Sequence, residues 1–599
     1  MPSRSKREAI RTMKISLLVR RLNEFPLLLV VFSVFAPAVA RAAPPSAPRL
    51  SFSGQQVLRS FIEAGTLADL RWPNFTDYRD DAKSFYESSN YSLAWLNDGR
   101  PTSQALAVIT ALEQADQVGL GAEDYDGPRW KDRIARLRGE NQHASEDELA
   151  RFDLALTVSL MRYIFDVQFG RVKPRAVHLG ADDARSKFDL PQFLRDQIIN
   201  SHDVAAALSQ LEPPFELYRR TEEALRKYVQ MAGQDDGEKL PPAKKKTIES
   251  GDDYPGVPRL VRLLKLVGDL PPDAAVAPDS TLYQGPIVDA VKHFQERHGL
   301  EADGRIGKDT LERLNTPLGD RVRQLQLTLE RWRWVPRAFD HPPILVNIPE
   351  FILRAFGQGE VIDLTMKVVV GRAYRTRTPV FAQDMSYVIF RPYWNVPLGI
   401  QRGETVPKTR KDPGYLRKND FEVVDRRGTV VSTGAVSDEQ LAQLSSGVLS
   451  VRQRPGPKNS LGLVKFVFPN EHNVYLHDTP ATELFSRTRR DFSHGCIRVE
   501  DPVALAEWVL RGNGGWTKDK IVEAMHSGPD SRQVNLVQKI PVVIIYATAV
   551  VLPDGEVKFF QDIYGHDAHL EKALARGYPR PRGNTATSAA PVPRRRAQS

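Results

Sequence analysis

The spacing of apolar residues changes along the chain, and the change predicts two kinds of domain. In residues 106–112 and 154–165 apolar side chains recur at helical spacing, so the region 50–230 is predicted to be a helical domain. From residue 343 onward the pattern becomes short runs rich in Val, Ile and Phe that are bounded by Pro and Gly. The fold class predicted is therefore multidomain α+β, with a β-rich C-terminal domain.

The β-rich domain is predicted to span residues 343–565. Two runs at 464–468 and 473–477 favour a pair of strands, and a last hairpin is expected at 542–560. The segment from about 400 to 461 lies between strand-like runs and is long for a loop of a compact domain. We interpret it as an irregular insertion that covers a cleft as a lid.

A charged, Pro-containing stretch at residues 231–256 is predicted to be a linker to a small helical module at 257–316. Within the module, Gly299 is placed to end one helix and Asp303-Gly304 to form a turn before the next. The order Phe-Gln, His-Gly-Leu, Asp-Gly, Gly, Thr across residues 294–310 resembles the peptidoglycan-binding module of bacterial wall enzymes. A generic helical hairpin is the alternative interpretation.

The N-terminus predicts export. Basic residues up to Arg21 precede an apolar run at 25–35, and the segment Ala40-Arg41-Ala42 offers the small-x-small pattern at which signal peptidase cleaves. Residues 1–42 are therefore predicted to be a signal peptide. The alternative is an uncleaved anchor that associates the protein with the inner membrane, but the run is shorter than the roughly 20 apolar residues of a spanning helix.

The distribution of charge along the chain argues against nucleic acid as a partner of the folded domains. The formal net charge is +9, but residues 1–42 and residues 576–599 each carry about +6, which leaves the segment between them at about −3. The body of the protein is therefore not expected to bind nucleic acid. The tail at 576–599, rich in Arg, Pro, Ala and Thr, is predicted to be disordered and able to touch an anionic surface.

The chain has one cysteine, Cys496, in the segment Ser493-His494-Gly495-Cys496-Ile497-Arg498. A single thiol in an exported chain cannot form an internal disulfide, which leaves chemistry, an intermolecular bond or burial. Gly495 allows a tight bend, so the amides around Gly495 and Cys496 are expected to face a developing oxyanion. The nearby cation of Arg498 is of the kind that favours a thiolate.

Two histidines are candidates for the base that takes the thiol proton. His477 ends a predicted strand, whereas His494 lies two residues before the cysteine. A base usually reaches its nucleophile from a different element, so His477 is favoured. For His494 the alternative is a structural role in which its ring hydrogen-bonds the loop.

His477-Asp478-Thr479 followed by the segment from Ser493 to Arg498 resembles the signature of L,D-transpeptidases with a YkuD-type catalytic domain. The order of the predicted domains resembles the large subgroup in which a helical scaffold domain and a peptidoglycan-binding module precede that catalytic domain. The resemblance implies that Cys496 is the nucleophile and His477 the general base and acid, oriented by a backbone carbonyl such as that of Asp478. It also implies the residues that shape the pocket and the oxyanion site, namely Ser493, His494, Gly495 and Arg498.

The reaction implied by the resemblance is acyl transfer between peptidoglycan stems in the periplasm. The thiol would attack the L-centre carbonyl of meso-diaminopimelate in a tetrapeptide stem, release D-alanine and form a thioester. The side-chain amine of a neighbouring stem would then resolve the thioester as a 3→3 crosslink, with water or a free D-amino acid as other acceptors. No metal or organic cofactor is implied.

Two other classes of function stay open on the sequence alone. A wall-lytic cysteine peptidase or L,D-carboxypeptidase also pairs Cys with His, although papain-like peptidases place the Cys first in the chain. A non-catalytic peptidoglycan-binding scaffold needs no reactive thiol. Two aromatic residues, Tyr475 and Trp394, are candidates for a substrate groove, and burial in a core is the equally weighted alternative.

Overall fold

The computed structural model of the protein describes residues 50–137, 144–174, 188–242, 245–373 and 376–580. The predicted signal peptide at 1–42 lies outside the described residues, as do the tail residues from 581 onward. Among the described residues no helix is both long enough and apolar enough to cross a membrane.

The N-terminal domain is helical, as the apolar spacing predicts. Its central helix starts at a capping box between Ser145 and Glu148 and is buried along almost its whole length. Inside the domain the Asp153 carboxylate accepts hydrogen bonds from the Tyr86 hydroxyl at 2.7 Å and from the Trp95 amide at 2.8 Å. The elements are α1 (Phe52–Ala64), α2 (Arg79–Glu87), β1 (Leu96–Asn97), β2 (Arg100–Pro101), α3 (Ser103–Glu113), α4 (Trp130–Leu137), α5 (Glu146–Phe169), α6 (Leu190–Phe193), α7 (Val204–Ser209) and α8 (Glu216–Gln234).

The small module begins earlier in the chain than the sequence indicates. Leu240, Ile248 and Tyr254, all within the predicted linker at 231–256, are buried in the core of the module, and the backbone of Ile248 pairs with that of Ile306. These apolar residues stand among charged ones, so the pattern conceals their burial. The elements are β3 (Asp252–Asp253), α9 (Val257–Leu266), β4 (Leu282–Tyr283), α10 (Pro286–Arg297) and α11 (Lys308–Leu314).

The helix α12 (Leu318–Trp332) connects the module with the C-terminal domain and packs against α8. Leu325 and Leu329 of α12 share one apolar cluster with Tyr218 and Leu225 of the helical domain. The same cluster contains Val543 and other residues of the C-terminal domain. This helix therefore joins the two large domains through a continuous apolar core.

The C-terminal domain contains most of the strands. Their bounds are β5 (Ile344–Asn347), β6 (Ile352–Phe356), β7 (Ile362–Gly371), β8 (Phe381–Phe390), β9 (Trp394–Asn395), β10 (Phe421–Val424), β11 (Val430–Ser432), β12 (Ser450–Gln453), β13 (Val464–Val467), β14 (Leu476–His477), β15 (Asp491–Ser493), β16 (Ile497–Val499), β17 (Arg532–Ile545), β18 (Ala549–Val551) and β19 (Val557–Phe559). The helices are α13 (Leu398–Ile400), α14 (Val406–Lys411), α15 (Tyr415–Lys418), α16 (Asp438–Ser446), α17 (Pro502–Leu510), α18 (Lys518–His526) and α19 (His566–Leu574).

The strands β7, β16, β14, β13, β8, β17, β5 and β6 pair in that order, and β6 pairs with β7 again, so the sheet closes on itself. Closure removes the exposed edges that an open sheet would present. Val388, Phe466 and Ile544 are among the side chains that fill the interior. The predicted β-rich C-terminal domain is confirmed as a barrel.

The insertion between β8 and β13 is a folded unit, not the irregular segment expected at 400–461. β11, β10, β12 and β9 form a second sheet in that order, and α13 to α16 surround it. Val406, Phe421, Leu444 and Val451 belong to a separate apolar core. The strands of the insertion are only two to four residues long, which explains why the period-two pattern is not visible.

The first residues of the predicted disordered tail at 576–599 are ordered and enter the helical domain. Tyr578 is buried in that domain's core, where its hydroxyl donates to the Asp166 carboxylate. The amide of Arg580 donates to Asp77 at 2.8 Å. A single aromatic residue in an Arg- and Pro-rich stretch is a weak sequence signal, so composition predicts disorder where burial of one ring anchors the chain.

Substitution of Tyr578 by Ala should lower the free energy of unfolding by about 3 kcal/mol, because it leaves a cavity in the helical core. Tyr578→Phe keeps the packed ring but removes the hydroxyl, and should cost about 1 kcal/mol. Chemical denaturation of both variants measures the difference. Equal stability of Tyr578→Ala and the unchanged protein would contradict the anchoring role of this segment.

Candidate active site

The candidate site is built on two neighbouring barrel strands that run parallel, β14 and β16. Leu476 pairs with Ile497, and His477 pairs with Arg498. Leu476 and Ile497 are both fully buried in the barrel interior. Because side chains alternate between the two faces of a strand, His477, Arg498 and the preceding Cys496 project from the outer face of the barrel.

Cys496 lies just before β16, and its thiol is half-buried. The Sγ atom donates to the backbone carbonyl of Asn473 at 3.7 Å. Burial raises the pKa of the thiol above its usual value, while hydrogen bonds from Tyr475 and the charges of Lys465 and Arg498 oppose the rise. The resting thiol is therefore protonated and needs a base to become a nucleophile.

His477 is buried and oriented by its own loop. Its Nδ1 lies 2.5 Å from the carbonyl oxygen of Asp478, which is the orienting contact that the resemblance implies. A carbonyl can only accept, so Nδ1 carries the proton and the lone pair of the neutral ring lies on Nε2. Burial, then the charge of Arg498, lowers the pKa of His477 to about 3.

Hydrogen bonds to the Asp478 carboxylate fix the conformation of the loop that follows His477. The Asp478 carboxylate accepts from the amide of Leu463 at 2.8 Å and from the amide of Thr479 at 2.6 Å. Gly462 has a φ of +62°, in the left-handed region, and a Cβ there would come within 2.3 Å of Asp478. Only glycine fits this turn, which fixes the carbonyl that orients the imidazole.

Two cationic side chains, of Lys465 and Arg498, flank the imidazole of His477, and we call the three together the cationic row. Lys465 on β13 is the cross-strand partner of His477, and Arg498 is its partner on the other side. The three side chains therefore stand in one row across three strands, with His477 in the middle. Of the described hydrogen bonds, none joins the His477 ring to the Sγ of Cys496, which lies diagonally across the strand pair.

The turn that carries the thiol is held by hydroxyl groups. The Ser493 hydroxyl donates to the Cys496 carbonyl at 2.5 Å and accepts from the Gly495 amide at 3.1 Å. Gly495 has a φ of +117°, a conformation that suits glycine. Thr378 donates to the Gly495 carbonyl at 2.8 Å. The Gly495 amide thus donates to Ser493, whereas the Cys496 amide has no partner among the described contacts. An oxyanion site formed by these amides stays a prediction.

His494 connects the turn to the insertion. Its Nε2 lies 2.6 Å from Glu404 Oε1, a contact that spans 90 positions of the chain. Burial opposes ionisation of Glu404, but hydrogen bonds from His494 and Lys408 outweigh it and lower the pKa of the carboxyl. This contact is of the structural kind that was the alternative to a base for His494, and the choice between the two roles stays a prediction. Beside His494 lies a cavity of about 1000 Å³ lined by Arg372 and the insertion.

The two aromatic candidates are in different places. Tyr475 is at the site: its ring lies 5.7 Å from that of His477, and the ammonium of Lys465 stands 3.6 Å from its centre. Trp394 belongs to the core of the insertion, where its ring lies 6.1 Å from Phe421. Trp394 lies on β9, the edge strand of the second sheet, and is partly buried against the core of the insertion. Its role in a substrate groove stays a prediction.

Three residues at the site have roles that sequence reasoning did not assign, namely Lys465, Thr378 and Glu404. The strand register that places Lys465 beside His477 is not visible in the sequence, although the alternation at 464–467 is. Thr378 and Glu404 are distant in the chain from the residues that they contact. In the described ranges, no three His, Cys, Asp or Glu side chains are grouped as a metal site requires.

Comparison with known proteins agrees with this division of the chain. Residues 342–535 match the model of the L,D-transpeptidase catalytic domain, residues 80–225 a scaffold domain, and residues 254–314 a "Putative peptidoglycan binding domain". A Haemophilus influenzae protein described as "Putative L,D-transpeptidase" is 33% identical over 252 residues. The alignment covers 42% of this chain and 50% of that protein, so the chain spans about half the length of this relative.

The imidazole of His477 should stay neutral far below neutral pH and gain a proton only near pH 3. In the unfolded chain the same ring is protonated below about pH 6.5, so this residue should destabilise the fold progressively as pH falls from about 6.5 to 3. NMR of the ring nitrogens during a pH titration measures the pKa directly.

Lys465→Met should raise that pKa, because it removes one of the two cations beside the ring, whereas Lys539→Met on the exposed part of β17 should not. An imidazole that is already protonated at pH 6 would contradict the arrangement.

Glu404→Ala should loosen the insertion, because it removes the bond to His494. We expect hydrogen exchange at residues 398–411 to accelerate roughly fivefold, the equivalent of about 1 kcal/mol. Lys408→Ala is the matched control, since it removes the other partner of Glu404 and leaves His494 in place. Unchanged exchange in Glu404→Ala would show that the insertion is held elsewhere.

Proposed function

Because the C-terminal part of this chain belongs to the L,D-transpeptidase family with a YkuD-type catalytic domain, we propose that the protein forms 3→3 crosslinks between peptidoglycan stems. The observation that carries the proposal is the position of Cys496 and His477 on one outer face of paired strands inside the matched domain. A thiol and a base with a fixed tautomer are the groups that cysteine acyl transfer requires.

The first half of the reaction transfers the donor to the enzyme. The thiol proton of Cys496 passes to Nε2 of His477, and the sulfur attacks the L-centre carbonyl of meso-diaminopimelate in a tetrapeptide stem. The Cys496 amide, which has no described partner, is the candidate donor to the developing oxyanion. As the C–N bond breaks, His477 returns the proton to the amine of D-alanine, and the thioester remains.

The second half passes the acyl group to an acceptor. The side-chain amine of a neighbouring stem attacks the thioester carbonyl, and His477 takes a proton from the amine. The C–S bond then breaks, and His477 returns this proton to the departing sulfur of Cys496. The new amide joins two third-position residues, which is the 3→3 link. Water and free D-amino acids are competing acceptors, because a thioester is reactive toward each of them.

The insertion is proposed to act as a lid that limits water during the second half-reaction. Its contact with the turn of Cys496 runs through Glu404 and His494, and α13 with the following residues lines the cavity beside that turn. Exclusion of water from a site favours transfer over hydrolysis.

The remaining domains fit an enzyme that works on the wall. The module at 254–314 is proposed to hold peptidoglycan, and the helical domain to position it relative to the barrel. Action on peptidoglycan requires a location outside the cytoplasm, which is consistent with the signal peptide predicted at 1–42. We therefore place the protein in the periplasm and name stem peptides, as donor and acceptor, as its partners.

Incubation with disaccharide-tetrapeptide, followed by mass spectrometry, tests the proposal. We expect release of D-alanine, a covalent adduct on Cys496 and a crosslinked dimer, and Cys496→Ala should lower product formation by at least roughly 10³-fold. Cleavage of a supplied 3→3 dimer without its formation would indicate a lytic peptidase. The absence of both an adduct and a product would favour a binding scaffold.

A further inference from the structure

The catalytic face carries more positive charge than its neighbours neutralise. Among the described residues, neither Lys465 nor Arg498 has a carboxylate within ion-pair distance. Elsewhere in the barrel a buried arginine is paired: Arg354 donates to both oxygens of Glu350, at 2.7 and 2.5 Å. A half-buried cation without a partner is costly, which indicates that another group completes the site.

Lys465 and Arg498 differ in how far their neighbours satisfy their charge and their hydrogen-bond donors. The ammonium of Lys465 stands 3.6 Å above the ring of Tyr475, a cation–π contact that satisfies part of its charge. The Nε of Arg498 is buried and has no hydrogen-bond partner in the described part of the chain. Glu483 attracts Arg498 from a longer distance, and Arg372 adds a second positive charge beside it. Arg498 is therefore the cation that needs a partner.

The position of Arg498 brings its guanidinium close to the expected leaving group of the donor, the terminal D-alanine. Arg498 lies on β16, two residues beyond Cys496 and about 7 Å from it along an extended chain, and its backbone neighbour across the sheet is His477. In a tetrapeptide donor, only the amide nitrogen and one Cα separate the scissile carbonyl from the terminal carboxylate. A donor that places its carbonyl at the thiol and its amine near His477 thus brings this carboxylate to the cationic row.

We propose that Arg498 binds the terminal carboxylate of the acyl donor and so selects stems that end one residue after the scissile bond. The inference rests on the proposed function for the identity of the donor. A guanidinium matches a carboxylate with two parallel hydrogen bonds, which an ammonium cannot provide. A donor with an amidated end, or one that is longer by a residue, leaves Arg498 unpaired and binds less well.

The test measures binding, so that it does not depend on turnover. In a Cys496→Ala background, calorimetry compares a disaccharide-tetrapeptide with its C-terminal amide, and with a donor amidated instead at the side-chain carboxylate of diaminopimelate. We expect the terminal amide to bind roughly 10- to 100-fold more weakly than the free acid. The side-chain amide should bind like the free acid.

Arg498→Gln in the same background should remove the preference by weakening only the free acid, and Arg498→Lys should retain part of it. Arg511→Gln is the matched control, since Arg511 pairs with Asp363 away from the row. A merely structural Arg498 would weaken all donors alike, and that result would overturn the inference. Equal binding of acid and terminal amide, a preference that resides in the side-chain carboxylate, or no detectable binding of the acid would overturn it as well.

Failure of the proposed function would give different results from failure of the Arg498 assignment. If the unchanged protein prefers the free acid through Arg498 but forms no adduct on Cys496 and releases no D-alanine, the carboxylate site is supported and the proposed transpeptidase activity is contradicted. If D-alanine is released from the free acid and D-alaninamide from the terminal amide, but the two donors bind equally well, the transpeptidase activity is supported and the assignment of Arg498 is contradicted.

Discussion

The parallel pairing of β14 with β16 is the constraint on which the candidate site depends. Leu476 and Ile497 are both committed to the barrel interior, and alternation along each strand then forces His477 and the thiol of Cys496 outward together. A shift of one residue in either strand would bury one reactive group and expose a core side chain. Stability of the barrel and alignment of the chemistry are therefore the same requirement.

Closure of the barrel also determines the electrostatics. Because β13 pairs with β14 on the other side, Lys465 and Arg498 flank the imidazole, and no carboxylate stands in the row. Together with burial, these charges keep His477 neutral, and the contact of Nδ1 with the Asp478 carbonyl leaves the lone pair of the ring on Nε2. A thiol and an imidazole that are both uncharged at rest suit a site that reacts only after a substrate has displaced water.

Sequence reasoning predicted the fold class and singled out Cys496 and His477 as the candidate reactive pair, because the signals are local: a helical period at 154–165, a strand end at His477, a turn around Gly495. It missed what depends on distant pairing. The register that places Lys465 beside His477, the bond from His494 to Glu404 and the burial of Tyr578 each join segments far apart in the chain. Short strands and isolated apolar residues carry too little periodicity to reveal such contacts.

The charge of Arg498 acts on both of the groups that we propose to exchange the proton. It is the foremost charge that lowers the pKa of His477, whereas for Cys496 the hydrogen bonds from Tyr475 and the charge of Lys465 come before it. A donor carboxylate that neutralises Arg498 would raise the basicity of the imidazole, because it offsets the charge that most disfavours the protonated ring. Binding of the leaving group's carboxylate would in this way strengthen the base that the proposed reaction requires, which couples recognition of the donor to activation of the nucleophile.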